Sequence, residues 1–176
     1  MKPSKIFSLI IILAILLVAG FVWYKSNRTN LQRLVQPVTP TTVSETTNVK
    51  GWESVTPVTP QIYKMVKIGT TGFQPTIIVL KNEITIPDPK NYTDNLIKGA
   101  RSVLPSLVFT SDTTSTQDNF FTRSLDGYYY SKKTKIFVMQ ELIIKNNQLL
   151  TIAGSSTGND LNQAFAFVVS QQLKSW

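Results

Sequence analysis

Residues 135–153, KIFVMQELIIKNNQLLTIA, decide the fold of this chain. Two runs rich in Ile, Leu and Val flank the pair Asn146-Asn147, and asparagine tolerates the left-handed backbone that a tight hairpin turn requires. Apolar runs with β-branched residues favour strands. The stretch therefore predicts a long strand at 135–145, a turn, and a second strand at 148–153.

Further strands are predicted on the N-terminal side of this hairpin. Residues 61–68 alternate between two faces, and residues 76–80 form a short apolar run that is typical of a buried strand. The pair Asp126-Gly127 is a strong turn signal and predicts that two strands are separated there. The remaining predicted strands are 107–109, 120–123 and 128–131.

Two amphipathic helices complete the pattern. Asn91 or Thr93 can cap the first helix and Pro105 stops it, whereas the second helix follows the Gly/Ser-rich stretch 154–160. The apolar stripes are Leu96, Ile97, Ala100, Val103 and Leu104 in the first helix and Leu161, Ala164, Phe165, Val168, Val169 and Leu173 in the second. The order strands, helix, strands, helix predicts an α+β domain with helices packed on an antiparallel β-sheet.

An uncharged segment near the N-terminus is long enough to cross a bilayer. Residues 6–24 contain no charged residue and no proline. As a helix they would span roughly 28 Å, close to the ~30 Å thickness of the hydrocarbon core. Trp23 and Tyr24 lie at one end, where amphipathic rings favour the membrane interface. The sequence predicts one transmembrane helix at 6–24 after a cytoplasmic tail at 1–5.

A cleaved signal peptide is the alternative interpretation of this segment. Residues 18–20, Val-Ala-Gly, are small enough for a signal peptidase. The apolar run continues through residues 21–24 and exceeds the usual apolar region of a signal peptide, which favours a retained anchor. The stretch also resembles a lipobox, but Phe21 occupies the position of the lipidated cysteine, so lipoprotein anchoring is excluded.

The positive charge of the chain is concentrated around the apolar segment. The net charge is +8; residues 1–37 hold five basic residues and no acid, whereas residues 38–176 hold 13 basic and 10 acidic residues. Anionic headgroups attract basic residues that flank a membrane span. No basic stripe with interleaved stacking aromatics is present in the sequence, so nucleic-acid binding is not expected.

The sequence after the apolar segment divides into a linker and a domain. Residues 25–47 are rich in Thr, Pro, Ser and Asn and predict an extended spacer, and residues 48–176 have the composition of a globular domain. A short tail before an apolar segment is typical of chains whose remainder is exported. The predicted localisation is the cell membrane, single-pass, with the C-terminal domain extracytoplasmic.

The available residue types limit the chemistry. The chain has no cysteine and no histidine, which excludes thiol nucleophiles, disulfides, Cys/His metal sites and His-based triads. Residues 154–160 lack the Gly-Lys-Ser/Thr of a phosphate-binding loop, and the segment 112–118 lacks EF-hand spacing and is interpreted as a solvated loop. The ten carboxylates show no recognisable spacing. The sequence predicts no catalytic residue, no cofactor and no metal; two carboxylates in one concave, partly buried cleft would argue against this expectation.

Trp52 and the run Tyr128, Tyr129 and Tyr130 are the candidate contact residues. Exposed aromatic rings bind partners with little loss of conformational entropy. Successive residues of a strand point to opposite faces, so Tyr128 and Tyr130 should lie on one face and Tyr129 on the other. Packing in the core is the alternative role for one of these faces.

Four segments, taken in order, carry a family resemblance. They are Gly51-Trp52-Glu53, the helical region 92–104 with its Leu-Pro stop, the strand region 141–152, and the closing Leu173-Lys174-Ser175-Trp176. Their order resembles the PsbP-like domain, the fold of the extrinsic oxygen-evolving subunit of photosystems and of many bacterial envelope proteins. The resemblance covers about residues 48–176. It implies an α/β/α sandwich and a non-enzymatic role in binding proteins, stabilising complexes, chaperoning or holding ligands, and it transfers no functional residue.

The combined expectation is a membrane-anchored extracytoplasmic module that binds a protein or assists complex assembly and is not an enzyme. Its partners would be the lipid bilayer, through residues 6–24, and another envelope protein. The alternative is an envelope protein of the same fold that binds a small ligand or a lipid, which would need a deep apolar pocket between the sheet and a helix.

We expect the full-length chain to remain in the membrane pellet after carbonate extraction, because residues 6–24 form an uncharged span. The double variant Leu13→Arg/Leu16→Arg should move to the supernatant, since each central arginine opposes insertion by about 2.5–3.5 kcal/mol. Release of a shortened form of the unaltered chain would indicate cleavage and contradict the anchor.

Overall fold

The computed structural model describes residues 49–83, 88–117 and 120–176. The predicted tail, transmembrane helix and linker lie outside the described residues. Within the described ranges, no helix is both long enough and apolar enough to cross a membrane.

Seven strands of the described chain form one antiparallel sheet in the order β1-β2-β3-β7-β6-β5-β4. Two helices accompany the sheet, which confirms the predicted α+β class with an antiparallel sheet. The strands are β1 (Trp52–Ser54), β2 (Gln61–Lys67), β3 (Thr76–Glu83), β4 (Val108–Gln117), β5 (Phe120–Ser131), β6 (Thr134–Lys145) and β7 (Gln148–Ser156). The helices are α1 (Pro89–Val103) and α2 (Leu161–Lys174).

The hairpin of β6 and β7 lies at the centre of the sheet. Asn146 and Asn147 have φ angles of 50° and 60°, the left-handed backbone expected of a two-residue turn. The pairing runs from Lys145 opposite Gln148 to Phe137 opposite Ser156. The predicted hairpin is therefore confirmed, and β7 extends three residues further than predicted.

The two helices cover opposite faces of the sheet. Along β7, Leu149 packs in the cluster that contains α1, whereas its neighbour Leu150 packs in the cluster that contains α2. Both leucines are at most 1% exposed. The sheet is consequently apolar on both sides, with one helical layer on each.

The N-terminus of α1 differs from the prediction. The Asp88 side chain caps the helix by accepting a hydrogen bond from the Asn91 N–H at 3.0 Å, so the predicted caps Asn91 and Thr93 are wrong. Pro89 is well suited to the first helical position because its φ is fixed and its missing N–H would have no helical partner. Aspartate followed by proline is thus the stronger start signal here.

The predicted break at Asp126-Gly127 is wrong, because β5 passes through both residues without a turn. Gly127 lies directly opposite Phe109 of β4, and a Cβ atom at this position would overlap the carbonyl oxygen of Val108. The glycine therefore permits close approach of two backbones rather than a change of direction.

Strand β4 is much longer than the predicted segment 107–109. It forms one edge of the sheet, and every residue from Thr110 to Gln117 is exposed. The predicted solvated loop at 112–118 is wrong up to Gln117, because these residues belong to this strand. An edge strand with polar side chains on both faces shows no apolar alternation, which explains the error. The other edge, β1, has only three residues.

We expect Gly127→Ala to lower the free energy of unfolding by about 1–3 kcal/mol, because the new methyl group meets a backbone atom. Gly154→Ala is the matched control. Its methyl group would meet side-chain atoms of Leu161 and Phe165 at 2.9 Å, a smaller overlap than the 2.3 Å approach to the Val108 backbone, so the loss should be smaller. Urea denaturation of both variants measures the difference, and equal losses would contradict the close approach at Gly127.

Candidate functional site

Helix α2 covers only part of its face of the sheet. It contacts β3, β7 and β6 through a buried stripe of Leu161, Ala164, Phe165 and Val168. On the same face, the outward residues of β5 and β4 are half-buried or exposed. This open part of the sheet is bordered on one side by the helix.

A groove of about 670 Å³ runs between α2 and strands β5 and β6. Its floor is formed by the sheet and is polar apart from one methionine, whereas most of its helical wall is apolar. The floor residues are Ser124, Asp126, Met139, Gln140 and Glu141. The wall residues are Phe165, Ala166, Val169, Ser170, Leu173 and Lys174.

Two carboxylates share the floor of the groove. The hydroxyl of Ser124 donates a hydrogen bond to Glu141 Oε2 at 2.6 Å, and Asp126 is a diagonal neighbour of Glu141 on the same face. Burial raises the pKa of Glu141, the Ser124 hydrogen bond partly opposes this shift, and the charge of Asp126 adds to it. Glu141 therefore holds its proton more tightly than a solvated glutamate, while Asp126 is exposed.

The four aromatic residues singled out by the sequence have different environments. Trp52 and Tyr129 are 4% and 3% exposed and belong to the core. Tyr130 is 52% exposed, and its ring meets that of Tyr128 edge-on at 5.8 Å between centroids. Of these four residues, only Tyr128 and Tyr130 are placed to contact a partner.

A small apolar cavity lies on the other face, beneath the end of α1. Its volume is about 50 Å³, and its lining includes Leu104, Leu107, Tyr129 and Ser155. The buried Tyr129 Oη and Ser155 Oγ atoms have no hydrogen-bond partner among the described residues. Burial raises the pKa of Tyr129 to about 12. The cavity is about one third the size of the ~150 Å³ cavity that admits benzene in another protein.

A buried arginine fixes α1 to strands β4 and β5. The Arg123 side chain is 8% exposed and donates two hydrogen bonds to Asp112, at 2.8 and 2.7 Å. It also donates to Thr93 at 3.0 Å and to Asp94, both on α1. The bidentate geometry and the additional partners satisfy a charge that would otherwise be costly to bury.

This network has no direct signal in the sequence. Phe121, Arg123 and Leu125 all point to the α1 face, so an arginine at an inward position of an apolar strand was the available indication. The predicted turn at Asp126-Gly127 obscures this indication, because it divides β5 into two short strands. Hydrogen bonds from Arg123 lower the pKa of Asp112 and of Asp94, so both carboxylates stay ionised.

The comparisons with known proteins concern the fold. No family model matches the chain, and no curated protein sequence matches it significantly. The solved structure of PA94 from Pseudomonas aeruginosa, a protein of unknown function, has a TM-score of 0.50 and 12% identity over 64% of this chain and 79% of PA94. LpqN, involved in cell envelope biogenesis of Mycobacterium tuberculosis, has a TM-score of 0.49 and 15% identity over 69% of this chain and 72% of LpqN. The match to PA94 shows a similar fold and carries no information on activity.

We expect Asp112→Asn to lower the free energy of unfolding at pH 7 by about 1–2 kcal/mol, because Arg123 loses a charge-assisted pair while solvent screens the 40%-exposed carboxylate. The pKa of Asp112 is lowered on folding, so its contribution is present above the unfolded pKa and is lost as the pH falls through the folded pKa. The unaltered chain should therefore lose stability below about pH 4.

Urea denaturation at pH 7 and pH 3 tests this prediction. Asp112→Asn should lose less stability than the unaltered chain between the two pH values. Glu83→Gln is the control, because Glu83 is exposed and lies outside the Arg123 network. Identical pH dependence of Asp112→Asn and the unaltered chain would contradict the assignment.

Proposed function

We propose that this chain is a membrane-anchored extracytoplasmic module that binds a protein partner and supports assembly of a complex, without catalysing a reaction. The groove between α2 and strands β5 and β6 carries the proposal. Its volume lies within the ~300–1,000 Å³ range of ligand sites, and its open form suits a segment of a larger molecule.

The chemistry of the groove suits an extended segment of mixed character. Val169 and Leu173 on the wall offer apolar contacts, and Leu173 is 41% exposed. Asp126 and Glu141 on the floor accept hydrogen bonds. A partner segment with an apolar side chain on one side and a basic or amide side chain on the other would satisfy both surfaces.

The placement in the envelope rests on the sequence. Residues 6–24 supply the proposed membrane anchor and residues 25–47 the proposed spacer. The proposed relation to the PsbP-like family is compatible with the helices on opposite faces of an antiparallel sheet. In that family such a sandwich presents its surfaces to partners, which agrees with a binding role.

The two carboxylates of the groove favour a second candidate function, hydrolysis of a glycosidic bond. Glu141, whose pKa is raised, would be the general acid, and Asp126 would be the second carboxylate. If so, Glu141→Gln should abolish hydrolysis of glycan substrates by the full-length chain. We favour binding because Asp126 is exposed and solvated, and two surface carboxylates suffice to hold a basic side chain.

Binding of a small ligand or lipid is the alternative role of the same fold. The cavity beneath α1 has the apolar lining and the two unpartnered hydroxyl groups that a ligand could use. Its volume of about 50 Å³ is too small for a lipid chain unless α1 moves. This cavity therefore supports the alternative less well than the groove supports protein binding.

We expect Ser170→Arg to abolish partner capture by the detergent-solubilised full-length chain, because Ser170 is exposed on the wall and an arginine there fills the groove. The matched control is Gln171→Arg, an exposed neighbour on α2 that does not line the groove. Affinity purification with mass spectrometry should find a partner with the unaltered chain and with Gln171→Arg only. A partner retained equally by both variants would contradict the groove as its site.

A further inference from the structure

At one end of the sheet, exposed lysines, aromatic rings and aliphatic side chains lie together, as expected of a membrane-facing surface. We call it the hairpin end, because it holds the turn between β5 and β6 at Lys132-Lys133. The register places the start of β3, at Thr76, and the end of β7 at this end.

The chain enters the described domain at the hairpin end. β2 ends here, since Val66 pairs with Thr76, and Trp52 at the start of β1 pairs with Lys67. The N–H of Ile68 donates to the carbonyl of Gly51 at 2.9 Å, which fixes the incoming strand beside the β2–β3 turn. Residues 1–48, with the proposed anchor, therefore join the domain at this end of the sheet.

The hairpin itself carries an uncompensated positive charge. Lys132, Lys133 and Lys135 fall within residues 127–137, which contain no acid. Lys132 has a φ of 56°, a left-handed conformation that usually selects Gly or Asn, as at the β6–β7 turn. Lys132 therefore adopts an unfavourable backbone conformation at the tip of the hairpin.

Two aromatic rings lie beside one of these lysines, Lys135. The Lys135 ammonium lies 3.9 Å from the centroid of the Tyr128 ring and 5.0 Å from that of Phe137. Tyr130, the most exposed ring of the hairpin, packs against Tyr128. Lysines beside half-exposed tyrosines are the side chains that favour the interface between lipid headgroups and hydrocarbon.

Exposed aliphatic residues extend this surface. The described residues include seven large apolar side chains that are exposed, and four of them lie at the hairpin end: Ile68, Val103, Val108 and Tyr130. Ile68 follows β2, Val103 ends α1, and Val108 begins β4 opposite Tyr128. Two acids lie at this end: Asp160 is paired with Lys67, and Glu53 is exposed on β1 opposite Val66.

We infer that the hairpin end docks on an anionic lipid surface, so that the domain lies against the membrane that holds its anchor. The inference rests on the membrane anchoring in the proposed function. Exposed lysines attract anionic headgroups, and exposed aliphatic and tyrosine side chains enter the interfacial layer. A nucleic acid would also attract the lysines, but it would not explain the aliphatic residues or their position where the chain arrives from the anchor.

Fluorescence quenching in nanodiscs tests this docking in the full-length chain. The chain has no cysteine, so Thr134→Cys at the hairpin end and Glu83→Cys at the opposite end each accept a single fluorophore. The discs contain phosphatidylglycerol, or phosphatidylcholine alone, with a quencher attached to a fraction of the headgroups. In phosphatidylglycerol discs we expect the label at residue 134 to be quenched at least twofold more than the label at residue 83.

Removing the positive charge of the hairpin should remove the difference in quenching between the labels at residues 134 and 83. Lys132→Gln/Lys133→Gln should reduce quenching at residue 134 to the level in phosphatidylcholine discs. Lys81→Gln/Lys98→Gln is the matched control, because it removes two exposed lysines from other surfaces. A thermal melt of each variant confirms that the domain remains folded.

The outcomes separate docking from anchoring. Co-elution of the chain with the disc reports anchoring alone, and equal quenching of the two labels in an anchored chain would overturn the docking inference. If the chain does not stay with the disc, anchoring fails, and co-sedimentation of the same chain with phosphatidylglycerol vesicles decides docking by itself. A preference of the hairpin for single-stranded RNA over such vesicles would also overturn it.

Discussion

The structure depends on one constraint, namely that the central strands are apolar on both faces. Residues of β6 and β7 such as Leu142, Ile143, Leu149 and Leu150 are at most 1% exposed, although neighbours point in opposite directions. A strand buried on both faces needs a covering layer on each.

Strands in a sheet lie about 4.8 Å apart, so the seven strands extend over roughly 29 Å. One helix about 10 Å wide covers only two or three of them. Two helices can therefore bury the centre of the sheet, but the outer strands on the α2 side remain open, and the groove follows from this mismatch.

The elements predicted correctly are those specified by local sequence. The β6–β7 hairpin has its own turn residues and continuous apolar runs. The buried stripes of both helices follow their 3.6-residue period, but the predicted stripe members Val103 and Leu173 are exposed at the C-terminal ends of the helices. Most of the wrong predictions occur where contacts between residues far apart in the sequence determine the local structure. Gly127 looks like a turn residue until β4 is placed against it, and β4 has no apolar pattern because pairing with β5 alone makes it a strand. The wrong N-cap is a local error: prolines flank Asp88 on both sides, a pattern that is typical of a chain break but that also suits a helix start.

The candidate site could be predicted less well than the fold. Tyr128, Tyr129 and Tyr130 alternate as expected of a strand, but their burial depends on which face α1 and α2 occupy. The groove combines residues from β5, β6 and α2 that are far apart in the sequence, and the pair Asp126 and Glu141 exists only through the register of two strands. Arg123 likewise joins Asp94 and Asp112 from different elements. To predict such arrangements one must know the order of the strands in the sheet, and the sequence pattern does not specify that order.

The unequal edges of the sheet limit the way in which copies of this domain could join through their backbones. β4 offers ten residues of strand edge, and its one charged side chain, Asp112, is turned towards Arg123. β1 offers only three residues. An edge-to-edge contact of two β4 strands would thus be self-complementary and would leave two short β1 edges outermost. Growth of a continuous sheet would end at a closed pair and would not propagate into a fibre.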